Sequence, residues 1–224
     1  MSEGRGLLII DPSVVYAEEE ATEIVARGWA GTVRVRHPGL DPEESVDATT
    51  PYDHDAVVIL GSRASVHDDL PWLRGLSAWL APIVSGSVDV PLLGVCFGHQ
   101  LIAWLAGAPV GPARVDGAKV EGVVETRVRA SRLAPGRTRL RVVASHRETV
   151  LAVPDGWTVA GDRADAPVDI LEHPTRRTFS VQFHPEAREG FALARGIAVA
   201  DIDARVREDG DRVLSSFREL ALRQ

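Results

Sequence analysis

The stretch from Pro91 to Ala106 limits the possible folds more than any other part of the chain. The apolar run Pro91-Leu92-Leu93 leads into Gly94-Val95-Cys96-Phe97-Gly98-His99-Gln100, and Leu101 to Ala106 continues with helical character. A strand that turns sharply into a helix is the geometry of a nucleophile elbow, in which glycines two residues to either side permit a strained, crowded turn. Cys96 is the only cysteine of the chain. At a helix N-terminus its thiol meets the positive end of the helix dipole, which favours the reactive thiolate. Without that context a single cysteine is simply a small buried hydrophobe. The flanking glycines and the partners described below favour the nucleophile.

The rest of the first half alternates in the same way. Leu7–Asp11 reads as a strand, Ala17–Arg27 as a helix, Thr32–Arg36 as a second strand and Ala56–Leu60 as a third. Trp72–Val84 has helical spacing at Leu73, Leu76, Leu80 and Val84, and Pro91–Val95 is the strand that enters the elbow. Strands alternating with helices predict an α/β protein with a mostly parallel central sheet flanked by helices. The unbroken apolar run Val57-Val58-Ile59-Leu60 suits a strand covered on both faces.

After Gly107 the pattern shifts to short β-rich segments at Val123–Val128, Leu140–Ala144, Thr158–Ala160, Val168–Glu172 and Thr178–Phe183. These read as antiparallel strands that extend the sheet. The stretch Asp201 to Arg223 reads as a helix interrupted at Gly210, with Val206, Val213, Leu214, Phe217 and Leu220 on its inner face. Phe191, Leu193 and Ile197 fit either a cap on the domain or a docking face. The expected organisation is one domain over residues 1–224, with a C-terminal helical tail over about 188–224. The tryptophans Trp72, Trp79 and Trp104 are expected in the core, and the acidic runs Glu18-Glu19-Glu20 and Asp41-Pro42-Glu43-Glu44 on solvated faces.

Composition narrows the partners. A net charge of −7 argues against nucleic acid, which needs a concentrated basic surface. No apolar run approaches the length of a membrane span, and the N-terminus lacks the apolar core of a signal peptide. One cysteine forms no internal disulfide, so a reducing cytoplasm is the expected setting. His37, His54, His67, His99, His146 and His173 show no spaced ligand pair, and neither metal nor cofactor is expected.

A second segment supplies partners for Cys96. In Phe179-Ser180-Val181-Gln182-Phe183-His184-Pro185-Glu186, a β-rich run delivers His184 at its C-terminal end, where open α/β sheets place their sites. Pro185 biases His184 to an extended backbone, so His184 and Glu186 share a face. Glu186 then accepts from one imidazole nitrogen and leaves the other for the thiol. A surface His-Pro-Glu turn is the plainer reading of that tripeptide. The order Cys96, His184, Glu186 departs from the nucleophile, acid, histidine order of α/β-hydrolases.

The two segments, in this order and at this separation, resemble the class I (triad-type) glutamine amidotransferases. They are most similar to the glutaminase domain of GMP synthase and its stand-alone relatives. The resemblance covers nearly the whole chain. Leu60-Gly61-Ser62-Arg63-Ala64-Ser65-Val66-His67-Asp68-Asp69 resembles the family's oxyanion loop, with Gly61-Ser62-Arg63 where relatives carry Gly-Gly-Pro. Ser145-His146-Arg147-Glu148 stands where they carry a Ser-His-Gly-Asp-like loop.

The resemblance implies a flavodoxin-like architecture and a role for each matched residue. Cys96 attacks the side-chain amide of glutamine to give a γ-glutamyl thioester, His184 moves the protons, and Glu186 orients His184. The oxyanion donors are the Phe97 N–H and the Gly61-Ser62 turn; Gln100, Ser145 and His146 hold the substrate. Gln100 is alternatively a helix-start polar residue bonded to a neighbouring loop. No phosphate-cradling Gly-x-x-x-x-Gly-Lys-Ser/Thr is present, so the released ammonia is expected to serve a synthetase partner in trans. The alternatives are a stand-alone hydrolase of γ-glutamyl peptides or amides, with Arg63 or Arg147 reading an extra carboxylate, and a non-catalytic regulatory module.

Overall fold

A computed structural model describes residues 6–223. The expectation about the N-terminus rests partly on Met1–Arg5, outside the described residues. Four parallel strands come first: β1 (Leu7–Ile10), β2 (Val33–Arg36), β3 (Ala56–Ile59) and β4 (Leu92–Val95). Helix α1 (Glu19–Ala26) connects β1 to β2, and α2 (Pro71–Ser85) connects β3 to β4. Helix α3 (Phe97–Leu105) leaves directly from β4. The second half holds β5 (Val110–Pro112), β6 (Val120–Val128), β7 (Arg139–His146), β8 (Glu148–Val150), β9 (Thr158–Arg163), β10 (Ala166–Glu172) and β11 (Thr178–Val181), then α4 (Glu189–Arg195) and α5 (Ala204–Leu222).

Nine strands form one sheet in the order β2-β1-β3-β4-β11-β10-β9-β6-β7, and β5 pairs with β8 in a small separate sheet. The alternation along β1 shows how the layers form. Leu7 and Ile9 pack into the cluster shared with α1 and α5, whereas Leu8 and Ile10 pack into the one beneath α2 and α3. Asp11, fully buried past the end of β1, accepts from the N–H groups of Ser13 and Glu18 and ties the loop before α1. Helix α2 starts with Pro71 at its first position and stops at Gly86, whose φ of 87° suits glycine.

Several expectations are corrected. Thr178–Val181 is antiparallel to β10 but parallel to β4, so it is the fifth strand of the central parallel set. The β-rich composition of the second half could not distinguish the two directions. The short β5 and β8 carry too few alternating residues to have been read. Helix α5 runs unbroken through Gly210, because that glycine is a close-packing position: a Cβ there would lie 2.3 Å from the Pro185 carbonyl oxygen. Trp79 is fully buried, but Trp104 is 43% exposed and meets His67 edge-on. Leu193 is exposed, whereas Phe191 and Ile197 are buried.

The acidic runs are not merely solvated. Glu20 accepts from the N–H groups of Gly190 and Phe191 at the start of α4, Glu18 pairs with Arg195 at 2.6 Å, and Glu44 accepts from the His37 N–H. Among the described residues no helix is long and apolar enough to cross a membrane.

Candidate functional site

Cys96 sits between β4 and α3 with φ 52° and ψ −101°, the only non-glycine residue with positive φ among those described. An L residue there carries strain of order 1–3 kcal/mol, which persists only where the surroundings enforce it. The enforcement is visible. The Cys96 N–H donates to the Val181 carbonyl at 2.9 Å, and its own carbonyl accepts from the Gln100 N–H at 3.0 Å. A Cβ on Gly94 would lie 2.5 Å from the Gly98 carbonyl oxygen, and one on Gly98 would lie 2.4 Å from that of Ile59. Both glycines flanking the elbow are therefore required by contact with backbone.

The β4–β11 register brings the histidine in. Ser180 pairs with Gly94 and Val181 with Val95, so the segment after β11 emerges beside Cys96. The His184 N–H donates to the Val143 carbonyl at 2.8 Å, which also fixes the segment to β7. His184 Nδ1 and Glu186 Oε1 lie 2.7 Å apart, with both side chains buried. The plainer reading of a surface turn is thereby set aside. Burial alone would push the His184 imidazole down; the Glu186 carboxylate and Cys96 outweigh it and raise its pKa to about 10. Gly61, on the loop after β3, faces both groups: a Cβ there would lie 2.9 Å from His184 Cε1 and 3.5 Å from Cys96 Cβ.

The remaining predicted residues gather round this centre. Phe97 opens α3, so its N–H has no intrahelical acceptor. The Ser62 hydroxyl donates to the Pro12 carbonyl at 2.7 Å and accepts from the Ala64 N–H, so its side chain is engaged within the loops. Gln100 Nε2 donates to the Glu148 carbonyl at 2.7 Å, which realises the loop-bonded alternative, yet Gln100 also lines the cavity. The Ser145 carbonyl lies 3.9 Å from Cys96 Sγ, within reach of a thiol donor.

His146 is held by a buried network that sequence reading missed. Arg163 Nη2 lies 2.8 Å from His146 Nε2, and a guanidinium only donates, so Nδ1 carries the proton and donates to the Glu148 carbonyl at 2.9 Å. Burial, then the Arg163 charge, push the His146 pKa down to about 4, so the ring is neutral. Arg163 also pairs with the fully buried Asp169 at 3.0 Å and with Asp165 at 2.7 Å. Gln182, also unassigned in the sequence, is fully buried and directs Nε2 to Cys96 Sγ at 3.8 Å. Its position in the run ending at His184 was the only available signal.

Cys96, His184, Gly61, Ser62, Gln100, Ser145 and His146 all line one cavity of about 720 Å³. Arg63, Arg147, Glu18 and Arg195 complete much of its outer wall. The arrangement presents a strained thiol, a buried imidazole paired with a carboxylate, and the Gly61-Ser62 turn beside them. That set can attack a carbonyl group and move the accompanying protons.

The sequence matches the family described as glutamine amidotransferase class-I over residues 21–194. The chain belongs to the class I glutamine amidotransferase family. Within the curated relatives, it is 32% identical to a GMP synthase (glutamine-hydrolyzing) of Thermobifida fusca over 202 residues, 80% of this chain and 31% of that protein. It is 33% identical to the enzyme of that name from Streptococcus equi subsp. zooepidemicus over 140 residues, 60% of this chain and 26% of that protein. The matches thus span only about a quarter to a third of those GMP synthases. A glutamine amidotransferase structure from Thermotoga maritima superimposes with a TM-score of 0.79 over 100% of both chains at 18% identity, a likeness of fold.

Proposed function

We propose that this chain is a glutaminase that releases ammonia from the side-chain amide of glutamine. The observation that carries the reading is the strained Cys96 held at a helix start beside His184, with Glu186 on the other imidazole nitrogen. In the proposed cycle, His184 already holds the proton taken from the Cys96 thiol, as its raised pKa requires, and Cys96 Sγ bonds to the amide carbon. The carbonyl oxygen gains charge, which the Phe97 N–H and the Gly61-Ser62 main chain stabilise. His184 then protonates the departing nitrogen, the C–N bond breaks, and ammonia leaves a γ-glutamyl thioester. Water, deprotonated by His184, adds to the thioester carbon; the C–S bond breaks, glutamate leaves, and the proton now on His184 restores the one that the Cys96–His184 pair shared at the start. Glu186 holds the imidazole in the tautomer that these steps require.

Gln100, Ser145 and His146 are the proposed substrate contacts. The likeness to about a quarter to a third of GMP synthases named as glutamine-hydrolyzing supports ammonia delivery to a synthetase encoded elsewhere, in a reducing cytoplasm that keeps Cys96 as a thiol. A second reading, a stand-alone hydrolase of larger γ-glutamyl amides, draws on the cavity's volume and on Arg63 and Arg147 in its wall.

The test is glutamate release from glutamine and from a panel of γ-glutamyl peptides, by wild type and Cys96→Ala. Cys96-dependent glutamine hydrolysis supports the first reading, and preferential turnover of γ-glutamyl peptides supports the second. Absence of turnover with every substrate overturns both and leaves a binding module.

A further inference from the structure

Helix α5 begins ten residues beyond the stretch that matches the family, yet it touches the segment carrying His184 and Glu186. A Cβ on Gly210 would lie 2.3 Å from the Pro185 carbonyl oxygen, so the helix backbone rests directly on the residue between the two. One residue further on, Asp211 pairs with Nη2 of Arg188. Arg188 is itself buried, and its Nη1 donates to the carbonyls of Pro185 at 3.1 Å and of Ala187 at 2.8 Å.

We propose that Arg188, tethered by Asp211 of α5, is a positioning residue for the Glu186–His184 pair. The Pro185 carbonyl belongs to the peptide unit that enters Glu186, and the Ala187 carbonyl lies one residue beyond it. Holding both with one rigid guanidinium fixes the backbone on either side of Glu186, and so the direction of its carboxylate. The electrostatics support the same division of labour. The Arg188 charge is met by Asp211, while Glu186 Oε1 is left to His184 Nδ1. A lysine in place of Arg188 keeps the charge but loses the fork that grips two carbonyls and a carboxylate together. Residues outside the family match therefore set the geometry of the pair inside it.

The proposal rests on the assignment of His184 and Glu186 given above, and its test is built to fail separately. Arg188→Lys and Asp211→Asn are compared with wild type and with Phe217→Leu. Phe217 packs α5 onto the sheet and has no part in the Arg188 contacts. The readouts are melting temperature, kcat and KM for glutamine, and the His184 titration midpoint by NMR. Both clamp variants are expected to lower kcat about tenfold with KM little changed, as a small misalignment of acting groups does. They are also expected to lower the His184 midpoint, because a misdirected Glu186 supports the imidazolium less. Phe217→Leu is expected to lower the melting temperature and leave the midpoint unmoved. An unchanged midpoint in folded Arg188→Lys and Asp211→Asn overturns the proposal, and so does an equal drop in Phe217→Leu. If wild type turns over no glutamine, the functional reading fails, and the midpoints alone decide the positioning role.

Discussion

His184 Nδ1 and Glu186 Oε1 lie 2.7 Å apart although Pro185 separates them in the chain, and both side chains are buried. Proline keeps His184 extended, so the two side chains fall on one face. The pairing leaves Nε2 as the nitrogen available to Cys96.

Removing the carboxylate tests that pairing. Burial favours the neutral imidazole, and Glu186 with Cys96 overcomes it to raise the pKa to about 10. Glu186→Gln is therefore expected to lower the His184 midpoint, followed by NMR, and to reduce kcat by about 10²-fold or more. The folded-state pKa lies above the unfolded value of about 6.5, so this ionisation stabilises the fold at neutral pH and below. The contribution is lost as pH rises towards about 10. Denaturation from pH 6 to 10 is expected to show that loss in wild type and a weaker one in Glu186→Gln.

The strain at Cys96 predicts an ordering of stabilities. Alanine at φ 52° keeps the penalty, whereas glycine relieves it and loses some stability through unfolded-chain entropy. Cys96→Gly is expected to exceed Cys96→Ala in unfolding free energy by about 1 kcal/mol, measured by urea titration. Both variants are expected to lack glutamine hydrolysis.

Gly61 is a steric gauge of the site. A Cβ there would lie 2.9 Å from His184 Cε1, closer than side chains normally approach. Gly61→Ala is expected to displace the imidazole and lower kcat about tenfold, with the melting temperature nearly unchanged.

Arg163 joins His146, in the cavity wall, to Asp169 on β10. Its removal leaves the fully buried Asp169 without its cationic partner and His146 without its Nε2 donor. Arg163→Met is expected to cost about 3 kcal/mol at pH 8. Burial already raises the Asp169 pKa, so its folded state holds a proton more readily than the unfolded chain. The deficit should accordingly shrink as pH falls and Asp169 is neutralised, which urea titrations at pH 5 and pH 8 would show. KM for glutamine is expected to rise, because His146 and Glu148 lose their fixed arrangement.

Local chemistry made much of this legible in the sequence. Glycines flanking Cys96, the Pro185 between His184 and Glu186, and the strand-helix alternation each act over a few residues and leave their mark in order and spacing. The elbow and the first four strands therefore fall within a residue or two of their expected bounds, and Cys96, His184 and Glu186 lie close together. Direction and contact across the chain were not legible. That β11 runs parallel to β4, and so delivers His184 to Cys96, is decided by hydrogen bonds between strands more than 80 residues apart. Gly210 looks like a helix breaker until Pro185 is seen against it. Arg163, Arg188 and Gln182 have no local pattern at all; only burial beside carbonyls, an imidazole and a thiol turns them from ordinary polar residues into parts of the site. The sequence by itself determined the local turns that present Cys96, His184 and Glu186, because their neighbours in the chain shape them. The tertiary structure alone decided what holds them in place, because burial and partner choice depend on residues that the chain brings together from far apart.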